Sequence, residues 1–87
     1  MTEVSFNDYY RLLEEWKEIV ELANSDLNIR ENANSKIDKI IAELKKPIEE
    51  RNCNTVLDLL NDLKKIRGLT KYVNESMEVI MTICTIN

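Results

Sequence analysis

The side chains that most often carry enzyme chemistry are sparse in this chain. It contains no histidine, the residue that most often acts as a general acid or base near neutral pH. With one glycine among 87 residues, it also lacks a glycine-rich phosphate loop, and no nucleophile elbow or metal-spaced cluster is present. We therefore predict that the protein is not an enzyme, uses no cofactor and has no small-molecule substrate.

The best remaining candidate for a chemical site is a row of acids. Glu14, Glu18 and Glu21 are spaced by four and three residues, which places them on one side of a helix. Such carboxylates bind a divalent cation only if a second helix supplies more ligands, and the Glu-x-x-His motif of di-iron bundles is absent. Since Lys17 lies among them, we interpret the row as a solvated acidic face and predict no metal site.

The chain has two cysteines, Cys53 and Cys84, which cannot form a zinc site without histidine. Cys84 follows the apolar pattern of the last helical segment, whereas Cys53 falls in a predicted connector. A core thiol and a loop thiol are the common arrangement in an intracellular protein, so two free thiols are expected in place of a disulfide.

The charge balance favours neither nucleic acid nor membrane as a partner. The net charge is −4, and the first 31 residues alone carry −5. The one basic cluster, Lys64, Lys65 and Arg67, is expected at the C-terminal end of a helix, where positive charge is favourable, so direct nucleic-acid binding is not predicted. Neither a signal peptide nor a run of about 18 apolar residues is seen. We expect a soluble, intracellular, cytoplasmic protein.

Apolar residues recur at helical spacing in four segments, near residues 6–24, 35–51, 55–67 and 71–85. Ser5, Ser35 and Thr55 are each followed by an acid three residues later, and Thr70 precedes the last segment, so all four are predicted N-caps. Gly68 is expected to end the third helix in a left-handed conformation. Residues 27–34 form a predicted connector, with Leu27 and Ile29 against the core. Pro47 is expected to kink or break the second helix.

These elements predict an all-α fold, an antiparallel four-helix bundle formed as a single domain by residues 1–87. The last segment has more apolar surface than such a bundle needs. Val73, Met77, Ile80 and Cys84 form a narrow core stripe, and further apolar residues extend the arc to roughly 220°, where a surface helix needs about 100°. Residues 79–86 also alternate as in an edge strand that pairs in trans, which stays open as an alternative to helix.

The excess apolar residues predict a binding surface. Seven of them lie outside the core stripes of their helices and are the predicted partner-binding residues: Tyr72, Val79, Ile83, Ile86, Tyr10, Leu22 and Leu57. The leading hypothesis is a protein–protein interaction module, or a small subunit of a complex, that binds a partner protein or a second copy of itself. The alternative is a small acidic inhibitor or antitoxin-like protein, whose acidic face blocks a basic, nucleic-acid-binding site on its target.

Residues 52–66 carry a Leu-Asp-Leu-Leu motif followed by Leu-Lys and Ile, after an Asn-containing turn. This pattern resembles the second helix of the TFIIS N-terminal domain family, and a weaker likeness continues through the last segment, so that the resemblance covers residues 52–86, about 35 residues. Arg67-Gly68 replaces the proline usual in that family, and Leu12–Lys17 resembles its closing helix at the opposite end, which implies a permuted bundle. The resemblance implies docking of short disordered peptides of the transcription machinery, and a nuclear location.

Overall fold

The computed structural model describes the backbone of residues 6–86 and the side chains from Tyr9 onward; the predicted cap at Ser5 lies outside this range. Within it, four α-helices span Phe6–Ala23 (α1), Leu27–Lys45 (α2), Cys53–Lys64 (α3) and Thr70–Thr85 (α4). A 3₁₀ turn, Ile48–Glu50, lies between α2 and α3, and no strand is present among these residues. The predicted all-α four-helix bundle is confirmed, and residues 79–85 are helical, not an edge strand.

The core is formed by the apolar stripe that each helix presents at a spacing of three and four residues. α1 packs mainly on α2, α2 on α3, and α3 on α4. The indole of Trp16 is completely buried, although its N–H has no hydrogen-bond partner among the residues that the structure describes. The other fully buried side chains come from all four helices and from Leu69, the residue before α4: Leu13 and Val20; Ala33, Ile37, Ile40 and Leu44; Val56, Leu60 and Leu63; Leu69; and Val73, Ile80 and Cys84.

The second helix begins eight residues earlier than predicted, because its N-cap is Asp26 and not Ser35. The Asp26 carboxylate accepts a hydrogen bond of 2.8 Å from the backbone N–H of Asn28. Ala33, fully buried four residues before Ile37, continues the core stripe into the segment that was expected to be a connector. Leu27 and Ile29 are therefore helical residues, and at 58% and 40% exposure they do not pack into the core as expected.

Pro47 limits the length of α2. The helix ends at Lys45, and Lys46 adopts an extended conformation (φ −70°, ψ 154°), as a residue preceding proline favours. The backbone N–H of Lys46 still bonds to the carbonyl of Glu43, and the 3₁₀ turn follows. The interruption near Pro47 is thus a helix end, so the predicted span to residue 51 is too long.

Two predicted caps on the other helices are wrong. The N-cap of α3 is Asn52, whose side-chain oxygen accepts a bond of 3.1 Å from the N–H of Thr55. Thr70 does not cap α4, because its hydroxyl donates to the carbonyl of Lys64 at 2.7 Å and so satisfies the end of α3. The left-handed conformation of Gly68 is confirmed by its φ of +92°.

Candidate functional site

The outer side of α4 carries a line of apolar side chains that the rest of the chain leaves partly uncovered. Tyr72, Val79 and Ile86 are 45%, 43% and 57% exposed, and Ile83 is half-buried. Their spacing of seven, four and three residues keeps them on one side of the helix and its C-cap. We call these four residues the α4 stripe.

The adjacent side of α4, roughly 100° around the helix from the α4 stripe, faces the core. Val73, Ile80 and Cys84 are completely buried, and Met77 and Met81 pack against them while half-buried. The helix therefore has two apolar sides, of which one is covered by its own chain. These two sides together account for the wide apolar arc that the sequence predicted for the last helix.

A disulfide joins the ends of α3 and α4. Cys53, the first residue of α3, is bonded to Cys84 near the end of α4, with their Cα atoms 5.9 Å apart. The expectation of two free thiols is wrong, and so is the placement of Cys53 in a connector. The reason is geometric, since the start of α3 lies against the end of α4 and brings the two cysteines together.

Arg51 holds the same end of α4 by hydrogen bonds. Its guanidinium donates to the carbonyl oxygens of Ile83 at 3.2 Å and Ile86 at 3.4 Å, and also to the carbonyl of Lys46 at 2.9 Å. The last carbonyls of a helix have no partner within it, and a cation there is favoured by the helix dipole. Arg51 thereby fixes the C-terminal part of the α4 stripe, Ile83 and Ile86, to the connection between α2 and α3.

The α2–α3 connection is itself held by a buried carboxylate. One oxygen of Glu43 accepts a hydrogen bond of 2.7 Å from the backbone N–H of Asn52, and the other lies 3.1 Å from the ammonium of Lys46. Its side chain is 11% exposed. The bond from Asn52, and secondly the one from Lys46, lower the pKa of Glu43 because both stabilise its charged form.

The other three predicted binding residues do not belong to the α4 stripe. Leu22, near the end of α1, is 89% exposed, whereas Leu57 on α3 is half-buried. Tyr10 is half-buried against the core, and the ammonium of Lys45 lies 5.3 Å from the centre of its ring. The seven predicted residues therefore lie on three helices, and α1 and α4 pack mainly on different neighbours, α2 and α3. They do not form one surface.

The acidic row is exposed and interleaved with a lysine. Glu14, Glu18 and Glu21 are all exposed, and the Lys17 ammonium lies 3.3 Å from Glu14 and 2.6 Å from Asp38 on α2. The hydrogen bond to Asp38 is the main cause of a raised pKa for Lys17. Among the described residues, no three histidine, cysteine or acidic side chains are grouped closely enough to bind a metal ion.

The predicted basic cluster lies at the end of α3, where it borders an open groove of about 760 Å³ between α1, the start of α2 and the α3–α4 connection. Lys65 and Arg67 line it, and both are exposed. Its walls are joined by Asn24, whose amide donates to the carbonyls of Val20 at 3.1 Å and Arg67 at 3.0 Å.

The chain matches no protein family, no curated protein and no solved structure in the comparisons. No helix within residues 6–86 is long and apolar enough to cross a membrane.

Sequence reasoning missed Arg51 and the disulfide, which support the α4 stripe. A signal for the disulfide was present, because α3 and α4 are joined by only a few residues. In such a helical hairpin the start of the first helix lies beside the end of the second, where Cys53 and Cys84 occur. Arg51 has no comparable signal, since its partners are backbone carbonyls 32 and 35 residues away.

Proposed function

We propose that this protein is a non-enzymatic interaction module, or a small subunit of a complex, that binds a protein partner through the α4 stripe. One observation carries the proposal. Tyr72, Val79 and Ile86 are each more than 40% exposed, on a helix whose adjacent side buries Val73, Ile80 and Cys84 completely. Single exposed apolar residues are common, but three large ones in one line mark a candidate interface.

The support beneath the stripe adds to this proposal. The disulfide of Cys84 and the hydrogen bonds of Arg51 fix the end of α4 that carries Ile83 and Ile86. A surface that is already ordered loses less conformational entropy on binding. Covering apolar surface contributes about 25 cal/mol per Å² removed from water, so a preformed apolar line favours association.

Site-specific photocrosslinking in the native host tests the proposal. A photoreactive phenylalanine derivative replaces Val79 in one variant and Asn74 in the matched control, since Asn74 is exposed and lies well away from the stripe on α4. Adducts of defined mass are expected at position 79 and not at position 74, and the aspartate variant V79D is expected to lose the same partner. Equal adducts at both positions, or none at position 79, would contradict the proposal.

The acidic inhibitor is the second candidate, and the exposed row of Glu14, Glu18 and Glu21 favours it. Glu18 and Glu21 make no salt bridge among the described residues, so their charges are available to a basic site on a target. An inhibitor acting through this face would lose affinity steeply as salt screens its charges. Binding through the α4 stripe would hardly change with salt and would survive the double variant E18Q/E21Q.

Two further expectations remain part of this proposal. The resemblance of residues 52–66 to the TFIIS N-terminal domain family suggests short disordered peptides as partners and a nuclear location. Disulfides are rare in cytosolic and nuclear proteins. The bond between Cys53 and Cys84 therefore weighs against a cytoplasmic location and a nuclear one alike. Trapping free thiols with an alkylating reagent in fractionated host cells tests the location, because it shows in which compartment the protein occurs and whether the bond is formed there.

A further inference from the structure

We infer that the α4 stripe binds the α4 stripe of a second copy of this chain, with the two helices running in opposite directions about a two-fold axis at Val79. This inference rests on the proposed function and names the partner. It also assigns an orientation to the contact, which makes it testable residue by residue.

The spacing of the stripe indicates that its partner is a helix. Tyr72, Ser76, Val79, Ile83 and Ile86 follow each other at intervals of four, three, four and three residues. This is the 3.5-residue repeat by which two helices pack along a common seam, as in a coiled coil. Ser76 is half-buried and is the one polar residue in the line.

The order of side-chain sizes indicates that the partner is the same helix, reversed. When two copies of α4 oppose each other about Val79, Tyr72 lies beside Ile86 of the second copy. Ser76, the smallest side chain of the line, lies beside Ile83 of the second copy, and the two-fold axis repeats both contacts. Small side chains opposite large ones allow two surfaces to interdigitate, and a two-fold contact must be complementary to itself.

The polar border of the stripe favours the same orientation. Lys71, Glu75 and Thr82 are exposed and lie along the side of the stripe that faces away from the core. In the reversed pair, Glu75 lies near Thr82 of the second copy, and Lys71 lies near the C-terminal end of the second α4, where the helix dipole is negative.

The size of the stripe sets the strength of the contact. From Tyr72 to Ile86, the C-cap of α4, the stripe is about 21 Å long at 1.5 Å per residue. A single helix pair of this length buries less than the roughly 1,200–2,000 Å² of a standard stable interface. We therefore expect a dissociation constant in the micromolar range or weaker, with monomer and dimer in exchange.

Cysteine crosslinking combined with sedimentation equilibrium tests the inference. Single variants V79C, Y72C and N74C are treated with a short bis-maleimide, which reacts with free thiols and leaves the native disulfide intact. In the reversed pair, V79C lies next to its copy and is expected to give a crosslinked dimer. Y72C is expected not to, because the two positions are about 21 Å apart along the helix axis, and N74C is the control outside the seam.

The double variant Y72C/I86C is expected to crosslink, since the thiol at position 72 lies beside the thiol at position 86 of the second copy. Sedimentation of the parent protein from low micromolar to about 1 mM should show a reversible dimer that V79D weakens at least tenfold. A monomer at every concentration overturns the inference, and so does a Y72C dimer formed as readily as that of V79C. If position 79 then still crosslinks to another protein in the host, the proposed function stands without the self-contact.

Discussion

Gly68 lies where the α3–α4 connection touches the last residue of α1. Its φ is +92°, and a Cβ added there would lie 2.6 Å from the Cβ of Ala23. The hydrogen bond from Asn24 to the carbonyl of Arg67 keeps the backbone from moving away. We expect the Gly68→Ala variant to lower the free energy of unfolding by about 1–3 kcal/mol, measured by urea denaturation.

A double-mutant cycle separates the two causes of this loss. Ala23→Gly removes the methyl group that the new Cβ would meet but leaves the unfavourable φ in place. The double variant should therefore be more stable than the sum of the two single effects predicts. Additive effects would show that the close approach to Ala23 plays no part.

Glu43 makes the stability of the fold depend on pH. Its pKa in the folded protein is lowered, so its contribution is fully present above the unfolded pKa of about 4.3 and is lost as the pH falls through the folded pKa. We expect Glu43→Gln to cost about 1 kcal/mol at pH 7, the difference between a charged and a neutral acceptor. In urea denaturation at pH 3 and below, this difference should shrink.

Glu49→Gln is the matched control, because Glu49 is exposed in the neighbouring 3₁₀ turn. It should leave the pH dependence of unfolding as it is in the parent protein. A loss for Glu43→Gln that is equally large at pH 7 and pH 3 would assign the effect to packing and not to charge.

At the scale of the helices, apolar periodicity predicted most of the fold and local capping decided the rest. The core stripes of α1, α3 and α4 were readable because a helix buries every third or fourth residue. The start of α2 was not, because Asp26 follows Asn24 and Ser25 in a polar run typical of a connector. Ala33 adds only a methyl group to the stripe, so the pattern upstream of Ile37 is faint.

The residues of the candidate site were predictable from the sequence, whereas the contacts that support them were not. The four residues of the α4 stripe followed from an apolar arc wider than one core side requires. Their support did not, because the bond between Cys53 and Cys84 and the contacts of Arg51 join segments more than 30 residues apart. Such contacts depend on how α3 and α4 are placed, which periodicity within one helix does not define.

The disulfide is expected to be a major source of stability for the α3–α4 pair. It joins residues 31 positions apart, and closing a loop of that length in the unfolded chain stabilises the fold by about 3–4 kcal/mol. A reducing agent, or the double variant C53A/C84A, should lower the free energy of unfolding by about this amount. Urea denaturation with and without reductant measures the loss, and an unchanged midpoint would contradict the bond's role.

At the scale of the whole molecule, the helices contact mainly their neighbours in sequence and form a flat body of 38 × 28 × 17 Å. The bond from Asn24 to Arg67 and the contact between Ala23 and Gly68 join the end of α1 to the loop of the α3–α4 hairpin. An outer helix such as α4 then has neighbours on few sides, which is why its second apolar side stays uncovered.

This arrangement predicts that thermal stability depends on protein concentration. A partner that binds only the folded state raises the melting temperature by mass action. If the α4 stripe associates with a second copy, the melting temperature of the parent should rise between about 10 μM and 1 mM, whereas that of V79D should rise much less. Differential scanning calorimetry measures both, and parallel behaviour of the two proteins would contradict self-association.

The covalent link between the two ends of the α3–α4 hairpin has a consequence for proteolysis. Lys65 and Arg67 are exposed in the connection between the helices, where trypsin can cleave on their carboxyl side. A single cut there would separate α3 from α4 in sequence, yet Cys53 and Cys84 would keep both fragments in one molecule. The nicked protein should migrate as one band on a non-reducing gel and release the α4 peptide only when thiol is added.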